Sequence, residues 1–165
     1  MKPLFIVDID GTICDSADLV FQLNCKFKTY VDNWNDLQRC EFLEKSLECL
    51  PIKGSEILNF LGDIIFLTGR SEQIGSLSGR KITSKWLKKA GFRNAELFMR
   101  QPNDRRSADI MKVEIFVNKI QPSYSHKDFV FLDDDLNVLR HYAEHGLSLK
   151  SPQCWQAMMT TFSGV

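Results

Sequence analysis

The chain has 165 residues, 44% hydrophobic and 25% charged, with 21 Lys and Arg balanced by 21 Asp and Glu. That is enough for one domain with its own core, and no apolar run approaches the roughly 20 residues that cross a bilayer. A formal net charge of zero gives no global attraction to nucleic acid, and five cysteines without a C-x-x-C pair or nearby histidines argue against a disulfide framework or a zinc site.

The first apolar run, Leu4-Phe5-Ile6-Val7, is too short for a signal-peptide core and leads into Asp8 rather than a small-residue cleavage site. A cytoplasmic protein with reduced, buried thiols is therefore expected. Continuous apolar runs of this length read as strands covered on both faces, so a strand is predicted over 4–7. It ends in Asp8-Ile9-Asp10-Gly11-Thr12. Residues 13–62 show helical rather than strand patterning, with helices expected over 17–31 and 36–50 and a short one after Pro51. A second strand, 64–67, ends in Thr68-Gly69-Arg70. The stretch from 69 to 79, rich in Gly and Ser, reads as a loop. A helix over 83–90 is stopped by Gly91, and a weaker strand follows over 96–100. A helix over 108–120 puts Ile110, Met111, Ile115, Phe116 and Ile120 on one face. A third strong strand, 129–132, ends in Asp133-Asp134-Asp135 and is followed by a helix over 136–145 and a weak strand over 147–150.

Alternating strands and helices imply an α/β fold, a three-layer Rossmann-like parallel sheet, and in such sheets ligands bind beyond the carboxyl ends of the strands. The three polar clusters all sit at such ends, so they are expected to converge. Asp8 can serve as an anionic nucleophile, with Asp10 as proton donor and then as base for water. Gly11 allows a tight turn, and the Thr12 hydroxyl can fix the loop or bind a phosphate oxygen. A carboxylate attacking a phosphate needs cations beside it. Asp133 and then Asp134 are the expected ligands, with Asp8, of a hard ion such as Mg²⁺, while Asp135 is expected to cap the next helix. Thr68 and the Gly69 backbone offer neutral donors, Lys112 a fixed charge, and Arg70 a contact to phosphate or neighbouring substrate.

Residues 80–112 hold ten basic against three acidic side chains. Lys85, Lys88 and Lys89 fit the wet face of a helix, and the remainder fits contact with an anionic substrate. His126, His141 and His145 are expected at the surface or at helix ends. Phe21, Phe27, Tyr30 and Trp34 in the 13–62 segment either stack on a base or pack the segment against the rest of the chain.

The ordered set of D-I-D-G-T, Thr68, Lys112 and Asp133-Asp134 resembles the four motifs of the haloacid dehalogenase superfamily. Family members with the second aspartate are mostly phosphatases or phosphotransferases. From 67 to 155, T-G-R, T-x-x-W-L, M-R-Q-P-N-D-R-R-S-A-D-I-M-K-V-E-I-F, L-D-D-D and C-W follow an order similar to the 3′-phosphatase domain of bacteriophage polynucleotide kinase–phosphatase. The resemblance implies a Mg²⁺-dependent phosphomonoesterase working through an aspartyl-phosphate on a phosphorylated nucleic-acid end or nucleotide. It assigns catalysis to Asp8, Asp10, Thr68 and Lys112, the metal to Asp8, Asp10, Asp133 and Asp134, and substrate contacts to Thr12, Gly69, Arg70, Arg105 and Arg106. It implies a core of 1–12 and 63–165, with 13–62 as a small helical cap-like insert that favours a small substrate if it closes over the site. With no G-x-x-x-x-G-K-[ST], no ATP use is expected. The alternatives are a small-molecule phosphatase such as a 5′-nucleotidase and a catalytically idle binding module.

Overall fold

The three apolar runs form neighbouring strands because each can bury side chains on both faces of one sheet. A computed structural model of the chain describes residues 2–26 and 36–144. In chain order the elements are β1 (Leu4–Val7), α1 (Ala17–Lys26), α2 (Asp36–Lys45), α3 (Leu58–Leu61) and β2 (Asp63–Ser71). They continue with α4 (Gly79–Lys89), β3 (Glu96–Arg100), α5 (Ala108–Ile115), α6 (Gln121–Ser123), β4 (Phe129–Leu132) and α7 (Leu136–Glu144). The four strands lie parallel in the order β3-β2-β1-β4. This is the expected α/β architecture. The strand expected over 147–150, His145, Cys154 and Trp155, and the aromatics Phe27, Tyr30 and Trp34 lie outside the described residues.

Side-chain parity divides the core. Leu4, Ile6, Ile65, Leu67 and Phe131 face α5 and α7, packing with Met111, Val113, Phe116, Val138, Leu139 and Tyr142. Phe5, Val7, Phe66 and Leu132 face the other way, against Ile13, Leu58, Trp86, Leu87 and Phe92. Phe116 anchors the first layer, its ring edge-on to Phe129, Phe131 and Tyr142 at centroid distances of 5.0, 4.9 and 5.9 Å.

Three elements depart from the expected ones. The helix over 108–120 is α-helical only to Ile115, after which Phe116–Ile120 widens into a π-turn that seats Phe116 in the aromatic cluster. The helix expected over 36–50 ends at Lys45 and tightens into a 3₁₀ turn, Ser46–Glu48. The stretch expected to be loop from Gly69 is strand as far as Ser71. The β2–β3 register passes from Thr68 opposite Met99 to Ser71 opposite Arg100, so Gly69 and Arg70 bulge out of the ladder.

In the 13–62 segment, α1 packs on α2 through Leu19, Leu23 and Phe42. In turn α2 packs on α4 and β2, and Trp86 Nε1 donates to the Cys49 carbonyl at 2.9 Å. Phe42 thereby lies against the Arg70 guanidinium near the carboxyl end of β2. Phe21 is 69% exposed. No helix among the described residues is long and apolar enough to cross a membrane.

Candidate active site

Parity carries past the strand ends. Asp8 follows Ile6 and Asp133 follows Phe131, so both carboxylates emerge on the α5 side. Leu132 pairs with Val7, and the Asp8 N–H donates to the Leu132 carbonyl at 2.8 Å, which makes the two aspartates neighbours. Lys112 reaches them from α5, and its Nζ donates to Asp8 Oδ1 at 2.8 Å and to Asp133 Oδ2 at 2.6 Å. All three side chains are buried. Burial pushes the Asp8 carboxyl up to about 7; Lys112 pulls it back while Asp133 and Asp10 push it further. Burial likewise raises Asp133 against the pull of Lys112. For Lys112, burial works against the charge, but Asp8 and Asp133 outweigh it and hold the pKa above that of an ordinary lysine.

Asp134 stands exposed at the mouth, where burial of its carboxyl and the nearby Asp8 raise it to about 6. Oxygens of Asp8, Asp133 and Asp134 lie within 4.8 Å of one another. Among the described residues three carboxylates against one ammonium leave negative charge in excess, and hard oxygen donors at this spacing suit Mg²⁺. Asp10, also expected as a ligand, does not join this group. Asp135 caps α7: its Oδ1 accepts from the Asn137 N–H at 2.8 Å.

The loop between Asp8 and α1 is tied to the acidic triplet. Thr12 Oγ1 accepts from the Asp134 N–H at 3.1 Å, so this hydroxyl fixes two strand ends to each other. Gly11 has φ +77°, and a Cβ there would stand 2.1 Å from Asp134 Oδ2. A side chain there would be strained by the positive φ and would displace that carboxylate.

On the other side of Asp8 lies a pair that the sequence did not reveal. Arg70 was expected to meet substrate. The bulge turns it inward instead, and Nε and Nη2 donate to the two oxygens of Asp10 at 2.8 and 2.6 Å. The guanidinium is 1% exposed and lies 5.7 Å from the ring centroids of both Phe42 and Trp86. Burial works against its charge, but Asp10 outweighs that and holds its pKa above the usual arginine value. Cys14 Sγ sits 3.5 Å from Nη2, and burial pushes that thiol well above the usual range. Thr68 is fully buried at the start of the bulge, where its Oγ1 accepts from the Arg70 N–H at 3.2 Å.

The basic residues after β3 are arranged otherwise than expected. Arg106 donates from its backbone N–H and from Nε and Nη2 to Asp104, and from Nη1 to Glu114, so its guanidinium is turned to these rather than to Asp8. Arg105 is exposed. The buried arginine of this stretch is Arg100, whose Nε donates to the Gly69 carbonyl at 3.0 Å. His141 Nδ1 pairs with Asp109 at 3.2 Å, away from the acidic triplet.

A buried carboxylate at one strand end, an acidic cluster at the next and a buried lysine bonded to both is a constellation suited to phosphoryl transfer. The family model for the polynucleotide kinase PNKP phosphatase domain matches residues 2–162. The chain belongs to this PNKP phosphatase family. It is thus a haloacid dehalogenase-type domain of a phosphatase family, as the order of its motifs implied. No curated protein matches the chain. Among solved structures, one titled "Structure of Pnkp1/Rnl/Hen1 complex" superposes with TM-score 0.64 at 21% identity, over 92% of this chain and 46% of that one. Another, "Structure of the Pnkp1/Rnl/Hen1 RNA repair complex", gives 0.62 at 24% identity, over 91% and 42%. The PNKP-family domain described here spans less than half the length of either chain, and at these identities the likeness is one of fold.

Proposed function

We propose that this domain is a Mg²⁺-dependent phosphomonoesterase that removes 3′-phosphates from nucleic-acid ends through an aspartyl-phosphate on Asp8. The observation that carries the reading is the Asp8 carboxylate, buried, bonded to Lys112 and adjacent to Asp133 and Asp134. Membership of the PNKP phosphatase family supports it, and the RNA repair setting named for one structural neighbour supports a polynucleotide substrate.

Asp8, Asp133 and Asp134 are the residues that would hold Mg²⁺, which when bound neutralises charge on the phosphate and its attacking carboxylate. In the first step an Asp8 oxygen bonds to phosphorus while the bond from phosphorus to the sugar oxygen breaks, and that oxygen takes a proton. In the second, water attacks the aspartyl-phosphate, frees inorganic phosphate and restores Asp8. Lys112 keeps Asp8 aimed and faces the charge that builds on the transferring group. The Gly69 backbone and Thr68 stand at the carboxyl end of the neighbouring strand, β2. Asp10 handles the proton. As the acid it gives a proton to the leaving sugar oxygen, and as the resulting carboxylate, held by the Arg70 fork, it takes one back from the attacking water.

The test compares phosphate release from a 3′-phosphorylated oligonucleotide, a 5′-phosphorylated one and free mononucleotides, with Mg²⁺ and with chelator. The 3′-phosphorylated oligonucleotide should be the best substrate, and only with the metal. Asp8→Asn should abolish release. Turnover retained in that variant, or a preference for 5′-phosphates, would overturn the assignment.

A further inference from the structure

Helix α4 carries a face of a single charge. Between Glu72 and Glu96 the sequence holds Arg80, Lys81, Lys85, Lys88, Lys89 and Arg93 and no acidic residue, in a chain whose formal net charge is zero. All six are exposed. The opposite face is buried, with Trp86 and Leu87 packed among Phe66 and Phe92. Arg80 and Lys89 are engaged locally: Arg80 donates to Glu72 at 2.6 Å and to the Leu97 carbonyl at 3.0 Å, and Lys89 to the Leu47 carbonyl at 3.4 Å. Between them, the ammonium groups of Lys81, Lys85 and Lys88 form no ion pair among the described residues. At 3.6 residues per turn these three stand within about 60° of arc and cover about 10 Å of the helix axis.

Charge placed in this way weakens a helix. Lys81 and Lys85, and Lys85 and Lys89, are like-charged neighbours at i and i+4, and the first turn holds basic residues where the helix dipole favours acids. A solvated helix face normally mixes the signs, as α2 does with Lys45 paired to Glu41 at 3.0 Å. A polyanion laid along the stripe relieves the repulsion. The stripe also starts at the active-site end of the sheet. A Cβ on Gly79 would stand 2.0 Å from the Ser71 carbonyl oxygen, and the Arg80 N–H donates to the Glu72 carbonyl at 3.0 Å. The first turn of α4 is thus seated on the carboxyl end of β2, the strand that carries Thr68, Gly69 and Arg70. Because β2 and β3 are parallel, α4 must run back along the sheet, for about 16 Å. Arg93 continues the charge past its end, before β3 begins at Glu96.

We infer that Lys81, Lys85 and Lys88 form a track for the sugar–phosphate backbone of a single-stranded polynucleotide, on the 5′ side of the 3′ end that Asp8 takes. This rests on the reading of Asp8 as the centre of a 3′-phosphatase and deepens it, since it assigns what holds the strand beyond its terminal nucleotide. Ammonium groups on an exposed helix face meet phosphates as point charges and offer no planar fork for a base edge. The track therefore binds strand length and not base sequence.

Fluorescence anisotropy on the Asp8→Asn protein with Mg²⁺ tests the track without turnover. The probes are labelled 3′-phosphorylated dithymidylate and octathymidylate. Octathymidylate should bind about tenfold or more tightly than dithymidylate at about 0.1 M salt. Lys81→Gln, Lys85→Gln and Lys88→Gln together should cancel most of that gain and reduce the slope of log affinity against log salt by about two, the share of three phosphate contacts on a single strand. Dithymidylate should lose about threefold or less. Removing as many charges at Lys2, Lys53 and Lys119, exposed residues outside α4, should keep the gain from length. Equal affinity for the two lengths, or an equal loss in the two triple variants, would overturn the track. So would poly-glutamate held by the stripe as tightly as octathymidylate, which would name an acidic protein as the occupant. Phosphate release by the wild-type protein separates the two readings. Release from 3′-phosphorylated octathymidylate with no gain from length keeps the phosphatase and removes the track. No release from either probe, with a gain that depends on the three lysines, removes the phosphatase and keeps the track.

Discussion

Asp10 is gripped at both oxygens by one guanidinium, and that guanidinium itself lies against Phe42 and Trp86. A planar fork of this kind fixes a carboxylate's direction as well as its charge. On the proposed mechanism Arg70 is a positioning residue that acts through Asp10. If so, its loss should matter most where proton transfer to the leaving group matters most. Arg70→Gln should lower kcat/KM on a 3′-nucleotide, whose sugar alkoxide leaves poorly, by about 10²-fold or more, within the usual range for general acid–base catalysis. On p-nitrophenyl phosphate, whose leaving group needs no proton, the loss should be markedly smaller. Arg70→Lys keeps the charge but not the fork and should fall between the two. Equal losses on both substrates would show that Arg70 serves only the fold, or meets the phosphate itself.

The start of α4 shows how tightly elements meet around this pair. Gly79 opens the helix with its Cα facing the end of β2. A Cβ there would stand 2.0 Å from the Ser71 carbonyl oxygen and 3.0 Å from Leu43 Cδ1. Alanine is the better helix former by about 1 kcal/mol, yet the clash is with backbone, and overpacking costs about 1–3 kcal/mol or more. Sterics should win, so Gly79→Ala is expected to lower the denaturation midpoint in urea. An unchanged or higher midpoint would mean that the α4–β2 contact yields easily. The strands around this contact were legible in sequence because runs such as Phe129-Val130-Phe131-Leu132 suit nothing but a sheet covered twice. The acidic residues were legible because each terminates such a run. What escaped depends on geometry that leaves the apolar pattern unchanged. Phe116 and Ile120 keep a helical spacing whether the turn is α or π. Gly69 and Arg70 look the same in a loop as in a bulge. The Arg70–Asp10 pair joins positions 60 residues apart in sequence, and Arg100, buried and turned to Gly69, reads in sequence as an ordinary strand end.

At the scale of the molecule, the fold gathers charge that an unfolded chain would keep apart. Strands β1 and β4 lie side by side, so their ends deliver Asp8, Asp133 and Asp134 to one place, where Lys112 is the single cation bonded to them among the described residues. The native state thus carries a repulsion that the unfolded state lacks, and a divalent ion that binds only the folded cluster must stabilise folding by mass action. At one hundred times its dissociation constant, such an ion contributes about 2.7 kcal/mol. For a domain of this size each kcal/mol moves Tm by roughly 2–4 °C, so saturating Mg²⁺ should raise Tm by about 5–10 °C over the chelated protein. Asp134→Asn removes one oxygen anion at the exposed mouth with little cost to the core. Without metal it should melt at or slightly above the parent, since it relieves like-charge repulsion with Asp8, and with Mg²⁺ it should gain clearly less than the parent does. The two curves should therefore cross between chelator and saturating Mg²⁺. A Tm unmoved by Mg²⁺, or an identical rise in both proteins, would mean that the triplet does not hold the ion.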